Sequence, residues 1–568
     1  MKRLVLFLIC LALLSSLCFA GCSKTEPTEA KKPASEAKDE TNQEEVKPED
    51  AVPGSTGEPG TFPIVDEKIE LSVFALQPVY VEDFETNYFT TWYEEKTNVH
   101  VNWETTPKVG LKEKRNLLLA SGNYPDILFG TDLTFEEQMM YGSQGILIDM
   151  KPLIDKWGVE LKKHMETIDW LENAITTPDG TILSLPHIDE CFHCYYGQKM
   201  WINNTWLEQM NLPMPETTED FKNVMIAFKE QDPNGNGKAD EVPLTGALNI
   251  WHSEVPDFLM SAFIYCDGDD NTFRVTLKDG VVDCIADRPE FREGLRYINS
   301  LYELDLIDPG AFTQNRDQLK QLGEGSEDQV IGAATSGWFG YFSSFDGERH
   351  KDYVAVPPLK GPEGVQLCGY YPFGYYTGAF SITNTNPYPE ASYRWADWMF
   401  GEEGQLAKDT GREGTEWERP AEGEIGINGK PAKWRPLVPL GEVQNITWKV
   451  GPAGKTTDFR LSEVRAEDPY LPTGLETRLF DQTQKYVGFE PEEIYPPLYM
   501  TTEQIDEMAQ IKGALMAYIE ESMARFITGD LDIDKDWDSY VKGLENLDMV
   551  RYEEICQEAY DMSAYSKK

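Results

Sequence analysis

The sharpest chemistry in the sequence lies in ten consecutive residues, Asp232-Pro233-Asn234-Gly235-Asn236-Gly237-Lys238-Ala239-Asp240-Glu241. Asp232, Asn234 and Asn236 place hard oxygen donors at alternate positions, and Gly237 allows the sharp turn that aims them at one centre. Lys238 can add its backbone carbonyl, and Asp240 and Glu241 complete an oxygen shell. Such a shell at this spacing suits Ca²⁺. The match covers the first half of an EF-hand loop only. The twelfth position, where a bidentate Glu belongs, is Pro243, and Val242-Pro243-Leu244-Thr245 reads as a strand and not as a helix. Chelation uses up the donors, so the ion's expected role is structural; a metal-free Asn-Gly turn is the alternative.

Other reactive types are sparse or weakly patterned. Cys191-Phe192-His193-Cys194 has the spacing of a redox pair, but a lone CxxC is weak evidence. A structural disulfide or buried thiols are expected there, ahead of metal or redox chemistry. The remaining mature cysteines, Cys266, Cys284, Cys368 and Cys556, are scattered. The chain has no GxSxG, HExxH or GxxxxGK[ST] pattern, and its six histidines leave little scope for a His-rich metal site.

The elements that must hold the loop read as α/β. Lys68 to Ala75 alternates and then turns wholly apolar, as a strand entering a buried sheet does. Phe84 to Lys96 reads as a helix, Val99 to Trp103 as a strand, Leu111 to Ser121 as a helix and Pro125 to Gly130 as a short strand. This alternation implies a parallel sheet covered on both faces, with ligands beyond the carboxyl ends of its strands. The turns after Ala75 and around Asp126 to Gly130 therefore belong near a cleft. Glu219 to Gln231 is a helix capped by Thr217 with Asp220. Val330 to Thr335 and Ala379 to Thr383 read as buried strands. Thr501 with Gln504 starts a long helix whose apolar stripe is Ile505, Met508, Ile511, Leu515, Ile519, Met523 and Phe526.

The N-terminus carries an address. Lys2 and Arg3 precede an apolar run from Leu4 to Leu14, too short for a good membrane span and typical of a secretory signal. Phe19-Ala20-Gly21-Cys22 resembles a bacterial lipobox, with Phe19 where an aliphatic residue is usual, so Cys22 is expected to be lipidated. An ordinary cleaved signal or an uncleaved anchor is the alternative. Residues 23–61 lack aromatics and are rich in Lys, Glu, Pro and Thr, the composition of a tether; a chain of that length reaches ~35 Å. At 568 residues the rest needs two large lobes or more. The formal charge of −47 argues against nucleic acid and against electrostatic adhesion to anionic lipid, leaving the lipid as the only membrane contact. It fits a soluble monomer kept apart from its copies by repulsion.

FKEQ followed by DPNGNGKADEVP closely resembles extracellular solute-binding proteins of carbohydrate ABC importers, in particular the large alginate-oligosaccharide-binding and LplA-like lipoproteins. LLASGNYPDI at 118–127, IGAATSGWFGY at 331–341, FGEEGQLAKDTGREGTEW ending at Trp417, FITG at 526–529 and DWDSY at 536–540 follow in the same order. The resemblance spans residues 64–560. It implies a two-lobed, periplasmic-binding-protein-like fold of type II, with residues 63–186 and 326–385 in the N-terminal lobe and residues 187–325 and 386–568 in the C-terminal lobe. It also implies that Asp232, Asn234, Asn236, the Lys238 carbonyl, Asp240 and Glu241 hold calcium. The implied function is capture of an oligosaccharide for permease subunits, with the transporter's ATPase reached only through them.

Sugars present apolar C–H faces and many hydroxyls, so aromatic platforms and convergent polar groups are the candidate contacts. The platforms are Trp201, Trp251, Trp338, Tyr341, Tyr371, Tyr375 and Trp417; packing in the core or hinge is the alternative for each. The polar candidates are Gln77, Asp126, Arg412 and Glu413. Asp126 could equally cap the end of the sheet, and Arg412 is suited to neutralising a uronate. An oligopeptide-binding protein and a secreted polysaccharide-degrading enzyme are the rival readings.

Overall fold

A computed structural model describes residues 57–266, 274–438 and 443–567. The expected signal segment, Cys22 and most of the tether lie outside the described residues. The strands are β1 (Ile69–Gln77), β2 (Val99–Pro107), β3 (Ile127–Phe129), β4 (Leu185–Asp189), β5 (Met200–Asn203), β6 (Val242–Thr245), β7 (Val275–Lys278), β8 (Val281–Cys284), β9 (Ile331–Thr335), β10 (Tyr353–Ala355), β11 (Tyr375–Ile382), β12 (Trp417–Glu418), β13 (Arg435–Pro436) and β14 (Ala453–Lys455). Two sheets dominate. One has six strands in the order β14-β4-β11-β3-β1-β2, the other four in the order β10-β5-β9-β6.

Each sheet has its own apolar core, so the chain forms two α/β bodies. In the first, β1 runs parallel to β2 and β3, and β11 lies antiparallel between β3 and β4. All of β3 is buried, which is why its sequence is wholly apolar. The helix Tyr88–Thr97, capped by the Asn87 side chain, lays Phe89 and Tyr93 against this sheet. Trp395 and Trp448 close the core, and the Trp448 indole N–H donates to Thr90 Oγ1 at 2.7 Å. In the second body, β9 is central, antiparallel to β5 and parallel to β6. The helix Thr218–Glu230 packs Phe221, Met225 and Phe228 inward behind a Thr217–Asp220 capping box. The helix Thr502–Thr528 has the expected Thr501–Gln504 box and buries all of its expected stripe except the half-buried Ile505.

The expected chain division differs from the strand pairing. Residues 326–385, expected in the N-terminal lobe, are divided: β9 and β10 pair with β5 and so belong to the second sheet. Residues 386–568, expected in the C-terminal lobe, are divided too: Trp395, Met399, Phe400, Trp448 and Val450 pack into the first core and β14 pairs with β4. The reason is general: an apolar strand or helix announces burial but not the partner that buries it.

Cys191 and Cys194 form a disulfide, and Cys266, Cys284, Cys368 and Cys556 are buried free thiols. No described helix is long and apolar enough to cross a membrane.

Trp448 arrives from a distant segment to fill the first core, so Trp448→Ala should lower unfolding stability by about 3–5 kcal/mol. Denaturant titration measures this. A loss under about 1 kcal/mol, within the reach of surface substitutions, would mean the segment is not part of the core.

Candidate functional site

The turn between β6 and the helix Val255–Met260 is built tightly. Ala247 N–H donates to Ser253 O, and Asn249 and His252 adopt left-handed backbone angles (φ 56° and 50°). Such angles are uncommon outside glycine and gather at functional sites. They turn Trp251 and His252 outward side by side, with ring centroids 5.1 Å apart. Each ring rests on a glycine. A Cβ on Gly337 would lie 2.1 Å from the Trp251 indole, and one on Gly197 would lie 2.1 Å from the His252 imidazole. Gly337 N–H also donates to Trp251 O at 3.2 Å, and His193 meets the indole edge-on at 6.4 Å.

Trp251, His252 and Lys512 are shared by two adjoining cavities. One, of about 600 Å³, lies between the two bodies. Lys108, Asp132 to Glu136 and Tyr375 to Thr377 line it from the first body, and Cys194, Tyr195 and Trp251 from the second. The other, of about 830 Å³, runs into the second body past Glu254, Asp257, Arg274 and Glu520. A bulge in the β4–β11 pairing falls between Tyr376 and Phe380 at Gly378 (φ 71°), whose missing side chain admits the Leu133 backbone. A bulge re-aims the side chains beside it. Tyr376, two-thirds exposed, is one of the cavity-lining residues.

Acidic groups outnumber basic ones along both walls, and two of the three cations have identified carboxylate partners. Lys108 pairs with Asp132, and Arg274 with Asp257 at 2.7 Å. Burial would raise the Asp189 pKa, but Lys455 and Arg460 outweigh it and hold the carboxylate well below its usual range. Glu254 goes the other way. Burial and then the charge of Asp257 raise its pKa to about 7, while the Asn249 N–H donates to it at 3.0 Å. Burial pushes His193 down to about 3.

The 232–241 loop lies elsewhere in the second body. Its backbone is pre-folded by its own side chains. Asp232 accepts from Asn236 N–H and Gly237 N–H, Asn234 Oδ1 from Asn236 N–H, and Asn236 Oδ1 from Lys238 N–H, at 2.8–3.1 Å. The Asn234 and Asn236 amides both donate to the Asp240 carboxylate. Glu241 Oε1 is buried with no hydrogen-bond partner, and burial followed by Asp232 and Asp240 raises its pKa. Hard oxygen donors on a tightly turned loop, one of them an orphaned carboxylate oxygen, are the residue types that suit a hard cation.

The family model for bacterial extracellular solute-binding proteins matches residues 77–406, more than half of the chain. The chain belongs to that family. The fructooligosaccharide ABC transporter substrate-binding protein FusA of Streptococcus pneumoniae is 29% identical over 521 residues, covering 89% of this chain and 93% of FusA. The solved structure of a FusA EF-hand mutant in complex with fructo-nystose superposes with a TM-score of 0.71 at 27% identity, over 87% of this chain and 99% of that one. An HMO-binding, ABC-transporter-associated solute-binding protein of Bifidobacterium longum infantis shares the fold, with a TM-score of 0.74 at 19% identity over 89% of this chain and 100% of that one. The two α/β bodies of this solute-binding protein are thus the lobes of a type II binding-protein fold, and the protein works outside the cytoplasm.

Of the contacts expected from sequence, the structure gathers Trp251, Tyr371 and Tyr375 at the interlobe cavity. It places the others differently. Trp201 is wholly buried, and its indole N–H donates to Ser336 O. Trp417 is buried against Trp434 and Phe459, with its N–H on Gly411 O. Trp338 and Tyr341 are half-buried, pack on each other with Arg316 over Tyr341, and line neither cavity. Arg412 is held by Glu416 and lies over Tyr88, and Glu413 pairs with Arg419. Gln77 donates to Val81 O. Asp126 accepts from the Ser72 N–H and hydroxyl, joining β1 to β3 as a cap. Sequence reasoning missed His252, Phe373 and Tyr376. The density of aromatics in Tyr370-Tyr371-Pro372-Phe373-Gly374-Tyr375-Tyr376 was the signal for the last two.

Glu254 binds a proton more tightly folded than unfolded, so its burial favours folding least once it ionises. Its destabilisation is absent below the unfolded carboxyl pKa, grows as pH rises, and is complete above about 7. Glu254→Gln should therefore raise the melting temperature relative to the parent at pH 8, with the gap closing by pH 4. A gap independent of pH would mean that Glu254 is not a buried ionising group.

Proposed function

We infer that the protein is the substrate-binding component of an ABC importer, capturing a neutral oligosaccharide between its lobes and delivering it to permease subunits, with the ATPase engaged only through them. The observation carrying this reading is the single Trp251 platform shared by two adjoining cavities. An indole seated on a glycine offers its remaining surface to a sugar's C–H face, and two cavities along it suit a ligand of several rings. The acid-rich walls and the Asp132 and Asp257 partners of Lys108 and Arg274 disfavour a uronate, whose charge would meet like charge. Arg412, the residue suited to a uronate, is committed to Glu416 and lies outside both cavities. FusA's substrate makes fructooligosaccharides the first compounds to try.

Binding transforms nothing. A ligand touching Tyr375 and Tyr376 on one lobe and Trp251 on the other stabilises the closed arrangement by the difference of its contacts in the closed and open states. Hydroxyls would meet Asp132, Glu136 and Glu254 as acceptors, and the tyrosines and Lys512 as donors. Calcium at Asp232, Asn234, Asn236, the Lys238 carbonyl, Asp240 and Glu241 would offset most of the charge of the loop's three carboxylates and fix the passage from helix to β6. Residues 1–21 are read as the signal peptide and Cys22 as the lipidated anchor holding a monomer to the cell membrane.

A thermal-shift and calorimetric screen tests the reading. A neutral oligosaccharide should raise the melting temperature and be recovered unaltered, and Trp251→Ala should weaken its binding at least about tenfold, the order of a buried aromatic hot spot. Tighter binding of oligouronates, or release of new reducing ends or unsaturated products, would refute it.

A further inference from the structure

The passages between the lobes lie side by side. β14, β4 and β11 are neighbours in the first sheet, and the chain enters or leaves the second lobe at their ends: after Asp189 of β4, before Tyr375 of β11 and after Lys455 of β14. Backbone bonds join these ends. Asp189 N–H donates to Gly374 O at 2.9 Å, and Glu190 N–H to Lys455 O at 2.8 Å. A Cβ on Gly374 would lie 2.7 Å from Glu190 Cα, so two of the crossing segments touch through backbone. Lobes joined this way turn when a few dihedrals at the strand ends change.

One side chain spans the junction. Arg460, soon after β14, donates from Nη1 to Asp189 Oδ1 at 3.1 Å and from Nε to Glu476 Oε1 at 3.0 Å. Asp189 ends a strand of the first sheet, whereas Glu476 opens the helix Leu475–Thr483, which places Leu479 in the second core. A single guanidinium, itself mostly buried, thus holds a carboxylate of each lobe. Burial would raise the Glu476 pKa, but Arg460 outweighs it and keeps this carboxylate ionised. The guanidinium is a planar fork with fixed donor directions, so both bonds persist only at one relative placement of Asp189 and Glu476. Turning the lobes would leave a buried charge unpaired, which is costly. The network also backs the ligand wall. Asp189 and Cys194 line the interlobe cavity, and Glu476 Oε2 lies 3.8 Å from Nε2 of His193, whose ring meets Trp251.

We propose that Arg460 is a positioning residue for ligand capture: its forked bonds to Asp189 and Glu476 set the resting angle between the lobes. The strut requires only the two-lobed fold, whichever ligand the cleft takes.

The test is the distance distribution between spin labels in the ligand-free full protein, measured by pulsed electron resonance. Glu113→Cys and Glu230→Cys carry the labels, each exposed on a helix of a different lobe, and the native free thiols of the described residues are buried. The protein without the introduced pair supplies the background. Arg460→Gln should broaden the distribution and displace its mean, and Asp189→Asn and Glu476→Gln, which keep side-chain shape, should each do so to a smaller extent. Arg465→Gln is the control. It breaks the exposed Arg465–Asp481 pair, which joins the same two segments without reaching β4, and should leave the parent distribution. Cooperative melting checks the fold of each variant; should Arg460→Gln not fold, the two carboxylate variants decide. A strut that only stabilises would lower the melting temperature and leave the distances as in the parent. Parent-like distances in the folded variants, or displacement by only one of the two carboxylate variants, would overturn the bridging role.

Discussion

The close contact between the Trp251 indole and Gly337 governs the rest of the site. A large aromatic ring can face a solvent-filled cavity in a fixed orientation only if its other side is packed, and here that side rests on backbone with no room for a methyl group. Gly337 can be there because β9 delivers it. β9 is held on both edges by β5 and β6, and the strand ends two residues before the glycine. The second lobe's core thus sets the position of one ring, and the first lobe contributes the opposing wall through the bulge at Gly378. The Cys191–Cys194 disulfide closes the turn ahead of Gly197, which in turn seats His252.

Charge acts in the same direction at two scales. The chain carries −47 overall, and its cavities are acid-rich as well. Carboxylates that accept hydrogen bonds from hydroxyls are useful to a neutral sugar, whereas a net anion would have to overcome both the local and the global field. The two walls also differ in protonation: burial, and then Asp257, raises the Glu254 pKa to about 7, whereas Lys455 and Arg460 outweigh burial and keep Asp189 ionised.

What the sequence revealed follows from how far apart the cooperating residues lie. The oxygen donors of the 232–241 loop are adjacent and their spacing encodes their geometry, so loop and turn could be read directly. The β1-to-β3 alternation and the capped helices at Thr217 and Thr501 were equally legible, because pattern and cap are local. Residues whose neighbours come from distant segments were not. Trp201 and Trp417 look like Trp251 in sequence, yet Ser336 and the Trp434–Phe459 pair bury the first two, while only Trp251 sits on a strained turn. Asp126 caps the sheet by accepting from Ser72, 54 residues back, and Arg412 is neutralised by a glutamate four residues on. The lobe assignment of β9 failed for the same reason: its composition specifies burial, and its partners β5 and β6 lie about 130 and 90 residues back.

The central claim is that one ligand touches both lobes at once across Trp251. Hydrogen exchange with and without a bound neutral oligosaccharide measures this directly. The account expects slowed exchange in 131–136 and 374–378 of the first lobe together with 248–253 of the second, at the same ligand concentration. Protection confined to one lobe, or located away from these segments, would contradict it.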